Sequence, residues 1–182
     1  MSYKVTIKQG DLLQERADFI VNPSNTRFLL GSGVSMAFKR ACGIVLEQEM
    51  QQALKQFGGK VTQGDVLVTS SAKATNFTYA LHVAVMNYNR GVRGDEKKPT
   101  LQTIQIALEN IERILQHFYK KTQKTPILAI PLMGCGVGGL AKKEVINLYK
   151  QFFQKEIEFT CNVMVYGYTA EDYKLIRNIY SI

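Results

Sequence analysis

The sequence predicts an α/β fold in which a largely parallel or mixed sheet is covered by helices on both faces. Three observations predict it. Short apolar runs bounded by Gly, Pro and Asn alternate with longer segments whose apolar residues recur every three or four positions. No linker, repeat or low-complexity stretch divides the 182 residues, so one domain spanning 1–182 is expected. No apolar run approaches the ~20 residues that cross a bilayer, so no membrane partner is expected.

Taken in order, residues 5–8 read as a strand that ends at Gly10-Asp11. Phe19-Ile20-Val21 is a short buried strand stopped by Asn22-Pro23. Residues 34–41 read as a helix stopped by Cys42-Gly43, and residues 46–57 as a second helix closed by Gly58-Gly59. Residues 65–70 and 79–85 are strands. The clearest helix covers 99–119. Its residues Leu101, Ile104, Leu108, Ile111, Leu115 and Phe118 share one face, and Pro99 falls in the first turn, where proline is tolerated. A buried strand at 127–131, a helix at 141–153, a strand at 162–168 and a last helix at 171–180 complete the chain.

Charge and cysteine usage narrow the function classes. The 23 Lys and Arg exceed the 15 acids, a net charge of +8 that favours an anionic partner such as a nucleotide, RNA or an acidic protein. The lysines are scattered, so charge alone does not identify a nucleic-acid binder. Cys42, Cys135 and Cys161 form no C-x-x-C pair, and only His82 and His117 are present, so no metal site is expected. Reduced thiols and an N-terminus without an apolar cleavage signal make the cytoplasm the expected location.

Two glycine-rich stretches carry the chemistry. Leu30-Gly-Ser-Gly-Val34 opens a helix after the second strand, and Gly134-Cys-Gly-Val-Gly-Gly139 leads from the 127–131 strand into another helix. Glycine lets a ligand approach the backbone closely, and a helix N-terminus presents unpaired amides and a positive dipole end. Two such loops at the carboxyl edge of one sheet suit the two sides of a pyrophosphate. Neither is a P-loop, because no Gly-Lys-Ser/Thr follows. Asn25 suits hydrogen bonding to sugar hydroxyls, whereas Asn22 reads as a loop-holding amide. Asp11 suits an exocyclic amine or a turn cap, and Tyr168 suits a stacked base.

In order, these residues resemble the macrodomain family of ADP-ribose-binding modules. Ala17-Asp-Phe-Ile-Val-Asn-Pro-Ser-Asn25 is similar to the family's D-A-I-V-N-A-A-N, Leu30–Val34 to its G-G-G-V, and Ile130–Val137 to its second phosphate loop. The resemblance implies a three-layer α/β/α sandwich with a central mixed, largely parallel sheet. It implies that Asp11, beside Leu12, contacts the adenine amino group, that Tyr168 stacks near the ring, and that Asn25 reaches the distal ribose. Gly31, Ser32, Gly33 and Val34 would form one wall of a diphosphate channel, and Gly134, Cys135, Gly136, Val137 and Gly138 the other. No cofactor is implied.

The departures from the family bear on catalysis. Relatives that hydrolyse ADP-ribose derivatives commonly carry an acidic residue where this chain has Ser35, and an aromatic residue where it has Gly138. The chain also resembles the terminal ADP-ribose glycohydrolase branch in Gly134-Cys-Gly136, Phe38-Lys39 and the Lys98-Pro-Thr100 run. That branch places its aspartate at the Gly138 position and its lysine near Met86-Asn87. The first expectation is therefore a binder of ADP-ribose or a derivative, read free or on an ADP-ribosylated protein or nucleic acid. The alternatives are a hydrolase of ADP-ribose 1″-phosphate, O-acetyl-ADP-ribose or ADP-ribosylated macromolecules, and a poly(ADP-ribose)- or RNA-binding module. Two routes to chemistry stand open: a substrate-held water near Asn25 and Gly33, and Cys135 as a low-pKa nucleophile.

Overall fold

The computed structural model describes residues 1–31 and 33–182; Ser32, placed above in the first glycine wall, lies outside the described residues. The elements are β1 (Tyr3–Gln9), β2 (Ala17–Asn25), α1 (Val34–Cys42), α2 (Val45–Gln56), β3 (Val66–Ser70), β4 (Phe77–Met86), α3 (Leu101–Thr122), β5 (Ile127–Pro131), α4 (Lys142–Phe153), β6 (Cys161–Gly167) and α5 (Ala170–Tyr180). Short 3-10 turns cover Leu12–Gln14 and Gly94–Lys97.

One mixed six-stranded sheet runs β1-β6-β5-β2-β4-β3. All neighbours are parallel except β3 and β4. Those two are joined by residues 71–76, a connection too short for a parallel crossover. The period-two alternation of each strand builds a core on either face. Phe19, Val21, Val163 and Val165 join Ile104, Leu108, Ile111 and Leu115 of α3, Val145, Ile146 and Tyr149 of α4 and Ile176 of α5. Ile20, Ala129 and Met164 face the other way, onto Phe38 and Cys42 of α1 and Leu46 and Met50 of α2. This is the three-layer α/β/α arrangement.

The connections locate a crevice. β2 leads to α1 on one face and β5 leads to α4 on the opposite face, although the two strands are neighbours. They pair only through Phe19↔Leu128 and Ile20↔Ala129, and then separate. A crevice beyond the carboxyl ends of two such strands is where open α/β sheets bind ligands.

Several boundaries differ from the sequence expectation, each for a local reason. β2 does not stop at Asn22-Pro23 but continues to Asn25, with Pro23 opposite Val83 of β4. In an extended strand a residue's carbonyl and nitrogen point to the same side. The Pro23 carbonyl accepts from Ser35 Oγ rather than from a strand, so the missing N–H deprives the sheet of no ladder bond. β6 ends at Gly167, leaving Tyr168 one residue beyond it. A Cβ at Gly167 would lie 2.5 Å from the Tyr173 nitrogen, so the start of α5 closes tightly over this strand end. Pro99 lies outside the first turn of α3: Thr100 is the N-cap and shares a reciprocal capping box with Thr103.

Candidate functional site

The crevice holds a groove of two lobes. The outer lobe, about 690 Å³, is lined by Asp11, Leu12, Ala37, Arg40, Cys135, Lys142, Tyr166, Tyr168 and Asp172 among others. The inner lobe, about 230 Å³, is lined by Ser24, Asn25, Met86, Tyr88, Gly134, Val137 and Gly138 among others. Gly31, Gly33, Val34, Leu132 and Gly136 line both, so the lobes meet between the two glycine-rich loops.

Local sequence makes both walls rich in amides. Gly33 has φ +61 and ψ −130, a conformation for which only glycine is suited, and it serves as N-cap of α1 without any side-chain hydrogen bond. Ala141 likewise caps α4 without one. α3 and α5 also start at this edge of the sheet, yet their first turns are closed by Thr100 and Thr169. Of the four helices that start at this edge, the two that follow the glycine-rich loops are thus those whose N-caps offer no side-chain acceptor among the described residues. They face a shared groove with positive dipole ends, an arrangement suited to an anion.

The second loop is folded tightly. The Leu140 N–H donates to the Gly134 carbonyl (2.9 Å) and the Gly139 N–H to that of Gly136 (3.1 Å). A Cβ at Gly138 would stand 2.6 Å from the Gly134 oxygen and 2.9 Å from Pro99 Cγ, while one at Gly136 would meet nothing within 4 Å. Position 138 is therefore closed to a side chain by its own loop and by Pro99, whereas Gly136 is bare toward the groove. Sequence reading missed Pro99 as the support of this loop, because the contact joins segments far apart in the chain.

The other predicted residues fall along the groove, with their polar atoms partly engaged. Asp11 Oδ1 accepts from the Leu13 N–H (2.9 Å), capping the 3-10 turn, and the carboxylate still lines the outer lobe. Asn25 Oδ1 accepts from the Arg27 N–H (3.0 Å) and its amide donates to the Leu29 carbonyl (3.0 Å), so this side chain shapes its own loop as well as lining the inner lobe. Tyr168 is 77% exposed, a free ring at the mouth of the outer lobe. The floor beside it is fixed: the Tyr166 hydroxyl donates to Glu15, which also accepts from Lys8 Nζ at 2.6 Å. Lys142 Nζ pairs with Asp172 at 2.6 Å, and this bond raises the lysine's affinity for its proton.

Ser35, which lines the inner lobe, and Asn22 belong to a buried hydrogen-bonded chain that runs behind it. Ser35 Oγ donates to Asn22 Oδ1 (3.0 Å), and Asn22 Nδ2 meets His82 Nδ1 (2.9 Å). His82 Nε2 meets Thr69 Oγ1 (2.8 Å), whose hydroxyl donates to the Ser70 carbonyl (2.9 Å). One neutral tautomer, with the proton on Nε2, satisfies every contact. Burial pushes the His82 pKa down to about 3, which keeps the ring neutral. Ser35 is thus committed to holding α1 against β2. The Ser24 hydroxyl, in the neighbouring wall, is buried without a partner among the described residues.

Of the two routes to chemistry left open by the sequence, the one through a low-pKa Cys135 is not supported by the structure. Burial pushes its pKa up to about 11; Lys142 opposes the rise and Asp172 adds to it. The thiol donates instead to the Met133 carbonyl (3.7 Å). Apart from the Tyr88 phenol, no ionisable side chain among the described residues lines the inner lobe.

Comparison with known proteins agrees with this fold. The family model for the macro domain matches residues 21–149. An O-acetyl-ADP-ribose deacetylase 1 of Pantoea vagans is 27% identical over 94% of this chain and 95% of its own length. Among solved structures, an Oceanobacillus iheyensis macrodomain mutant with ADPR superposes at a TM-score of 0.75 with 21% identity, covering 97% of this chain and 91% of that one. A Trypanosoma brucei macrodomain in complex with ADP-ribose superposes at 0.72 with 18% identity, covering 97% of this chain and 68% of that one. No helix among the described residues is long and apolar enough to cross a membrane. With more than half of the chain matched by the family model, the protein belongs to the macro domain family.

Proposed function

We propose that this protein binds ADP-ribose or an ADP-ribose derivative and acts as a reader of that group. The observation that carries the reading is the uncapped N-terminus of α1 at the junction of the two lobes, with the bare backbone of Gly136 from the second loop lining the same junction. The junction takes the diphosphate, with the bare backbones of Gly33 and Gly136 on either side. The outer lobe takes adenosine, with Tyr168 stacking on the base and the Asp11 carboxylate accepting from its exocyclic amine. The inner lobe takes the distal ribose beside Asn25.

Binding is favoured over turnover because proton transfer needs a titratable group within hydrogen-bond reach, and among the described residues the inner lobe offers only a phenol. Titration calorimetry with ADP-ribose, ADP and AMP tests the reading. ADP-ribose binds more tightly than either, and Gly33→Glu abolishes all three. Equal affinity for ADP-ribose and AMP would refute the assignment of the inner lobe.

The name of the Pantoea vagans relative favours a second reading, hydrolysis of an ADP-ribose ester. It requires a water held by the substrate's own phosphate near Asn25 and Gly33. Turnover of O-acetyl-ADP-ribose and ADP-ribose 1″-phosphate, with Asn25→Ala as control, decides it, and zero turnover removes it.

A further inference from the structure

The end of β2 is built differently from the rest of the strand. β2 and β4 keep one parallel register from Ala17↔Phe77 to Ser24↔Ala84, then the register slips and Asn25 stands opposite Met86. A bulge of this kind re-aims the side chain at the slip, and bulges are frequent beside ligand sites. The chain turns at once: the Thr26 N–H donates to the Met86 carbonyl (2.9 Å) and the Phe28 N–H to that of Asn25 (2.9 Å). Phe28 takes φ +50, in the left-handed region, although it is bulky and fully buried. That conformation is unfavourable for a residue with a Cβ, and it persists only where its surroundings over-determine it.

The surroundings here are α2. Its Gln51 Nε2 donates to the carbonyls of Arg27 (3.2 Å) and Phe28 (3.0 Å), and the Phe28 ring shares a core with Leu46 and Met50 of the same helix. The turn held in this way consumes most of the Asn25 side chain. Asn25 Oδ1 accepts from the N–H groups of Arg27 (3.0 Å) and Leu29 (3.4 Å), and Nδ2 donates to the Leu29 carbonyl (3.0 Å). The two backbone donors fix which end of the amide is oxygen. A side-chain amide has two acceptor sites and two N–H donors, so one N–H is left over. Asn25 is buried and lines the inner lobe, and it therefore offers that lobe a donor and no acceptor. Gln51 is not among the described residues that line either lobe; it acts from behind the turn.

We propose that Gln51 is a positioning residue for the inner lobe: it holds the 25–29 turn in the arrangement that leaves Asn25 one N–H to donate, and so sets the preference for a nucleoside diphosphate that carries a distal sugar over one that ends at its phosphates. The inference rests on the placement of the distal ribose given above. A sugar hydroxyl supplies the acceptor oxygen that the remaining N–H requires. Without Gln51 nothing holds the Arg27 and Phe28 carbonyls to α2, and Phe28 relaxes toward negative φ. The Arg27 and Leu29 N–H groups then leave Asn25 Oδ1, and the amide has to be ordered again each time a ligand binds. The bonds of Gln51 go to this turn and not to the outer lobe, so adenosine and the phosphates do not sense its loss.

Titration calorimetry with ADP-ribose, ADP and AMP tests this on the full chain as wild type, Gln51→Met, Asn25→Ala and the double variant. Methionine matches glutamine in length and helix propensity but has no N–H to donate. Gln51→Met is expected to weaken ADP-ribose about fivefold to tenfold, the worth of one hydrogen bond. Its affinities for ADP and AMP stay within about twofold of wild type, the scatter of independent sites. In Asn25→Ala the preference for ADP-ribose over ADP is already gone, and adding Gln51→Met changes that ratio by less than about twofold. This dependence on Asn25 is what a merely structural glutamine would not show. The proposal is overturned if Gln51→Met keeps the wild-type ratio, if it weakens all three ligands equally, or if its effect is undiminished in Asn25→Ala. A wild-type protein that binds ADP-ribose no better than ADP gives a different failure: it removes the distal ribose from the inner lobe, and with it anything for Gln51 to position.

Discussion

Replacing Gly138 by alanine adds one methyl group at the place where the second loop is most closely packed. The new Cβ would lie 2.6 Å from the Gly134 carbonyl oxygen, 2.9 Å from Pro99 Cγ and 3.0 Å from Pro99 Cδ. None of these atoms is the far end of a flexible chain. The oxygen is backbone and accepts from the Leu140 N–H, and the proline is rigid and precedes the N-cap of α3. Relief therefore requires the loop to move off Pro99. Overpacking of this kind costs about 1–3 kcal/mol. In a domain of this size each kcal/mol lowers Tm by roughly 2–4 °C, so Gly138→Ala is expected to melt about 2–12 °C below wild type. Gly136→Ala is the matched control: its Cβ meets nothing within 4 Å and its φ is not positive, so its Tm stays near that of wild type. Differential scanning calorimetry of the two variants decides. The packing argument is refuted if Gly138→Ala melts with wild type, or if Gly136→Ala is the more destabilised of the pair. The same geometry predicts that Gly138→Asp, which restores the carboxylate expected in catalytic relatives, destabilises the loop rather than creating an enzyme.

Two further predictions concern titration. His82 is held neutral when folded, with its pKa depressed to about 3, so the unfolded chain binds this proton first as pH falls below about 6.5. Its contribution is present above that range and is lost, at up to ~1.4 kcal/mol per pH unit, until pH reaches about 3. Urea unfolding should show about 2 kcal/mol less stability at pH 5 than at pH 7 from this group, and His82→Gln should flatten that slope; an unchanged slope would mean the ring is not held neutral. Burial raises the pKa values of Cys42 and Cys135 to about 11 and of Cys161 to about 12. At pH 7.5 the thiolate fraction is then below about one in a thousand, so iodoacetamide should label the native protein far more slowly than the urea-unfolded chain; rapid labelling of Cys135 would restore it as a nucleophile.

The parts of this molecule that could be read from sequence are those fixed by local pattern. The 3.6-residue stripe of α3, the buried runs of β5 and β6, and the glycines that open α1 and the second loop needed no knowledge of distant neighbours. Pro23 misled because proline marks a strand end by default, and only the separation of β2 from β5 makes its missing N–H harmless. His82 and Asn22 are 60 residues apart and Pro99 and Gly138 nearly 40, so their partnerships depend on sheet order, which the pattern of strands and helices leaves open. A low-pKa Cys135 is one of two routes to chemistry that the residues left open, and the buried thiol, turned to the Met133 carbonyl, speaks against it.

The contrast among the helix starts yields the most direct test of where an anion sits. A Ser, Thr, Asp or Asn cap is worth about 1 kcal/mol, and α3 and α5 have theirs in Thr100 and Thr169 while α1 and α4 begin at Gly33 and Ala141. A diphosphate at the junction would accept from the first-turn amides of α1 that no side chain among the described residues caps, doing for that helix what threonine does for the other two. Hydrogen exchange at Val34 and Ser35 should therefore slow on addition of ADP-ribose or ADP, but not of adenosine, which fills the outer lobe without a phosphate. Exchange in the first turn of α5, already capped, should not respond. At a free ligand concentration of 100 times Kd the whole domain gains about 2.7 kcal/mol, so global protection rises everywhere and the informative quantity is the excess at α1 over that background. Equal slowing with adenosine and ADP would show that the effect is general tightening and that the phosphates lie elsewhere.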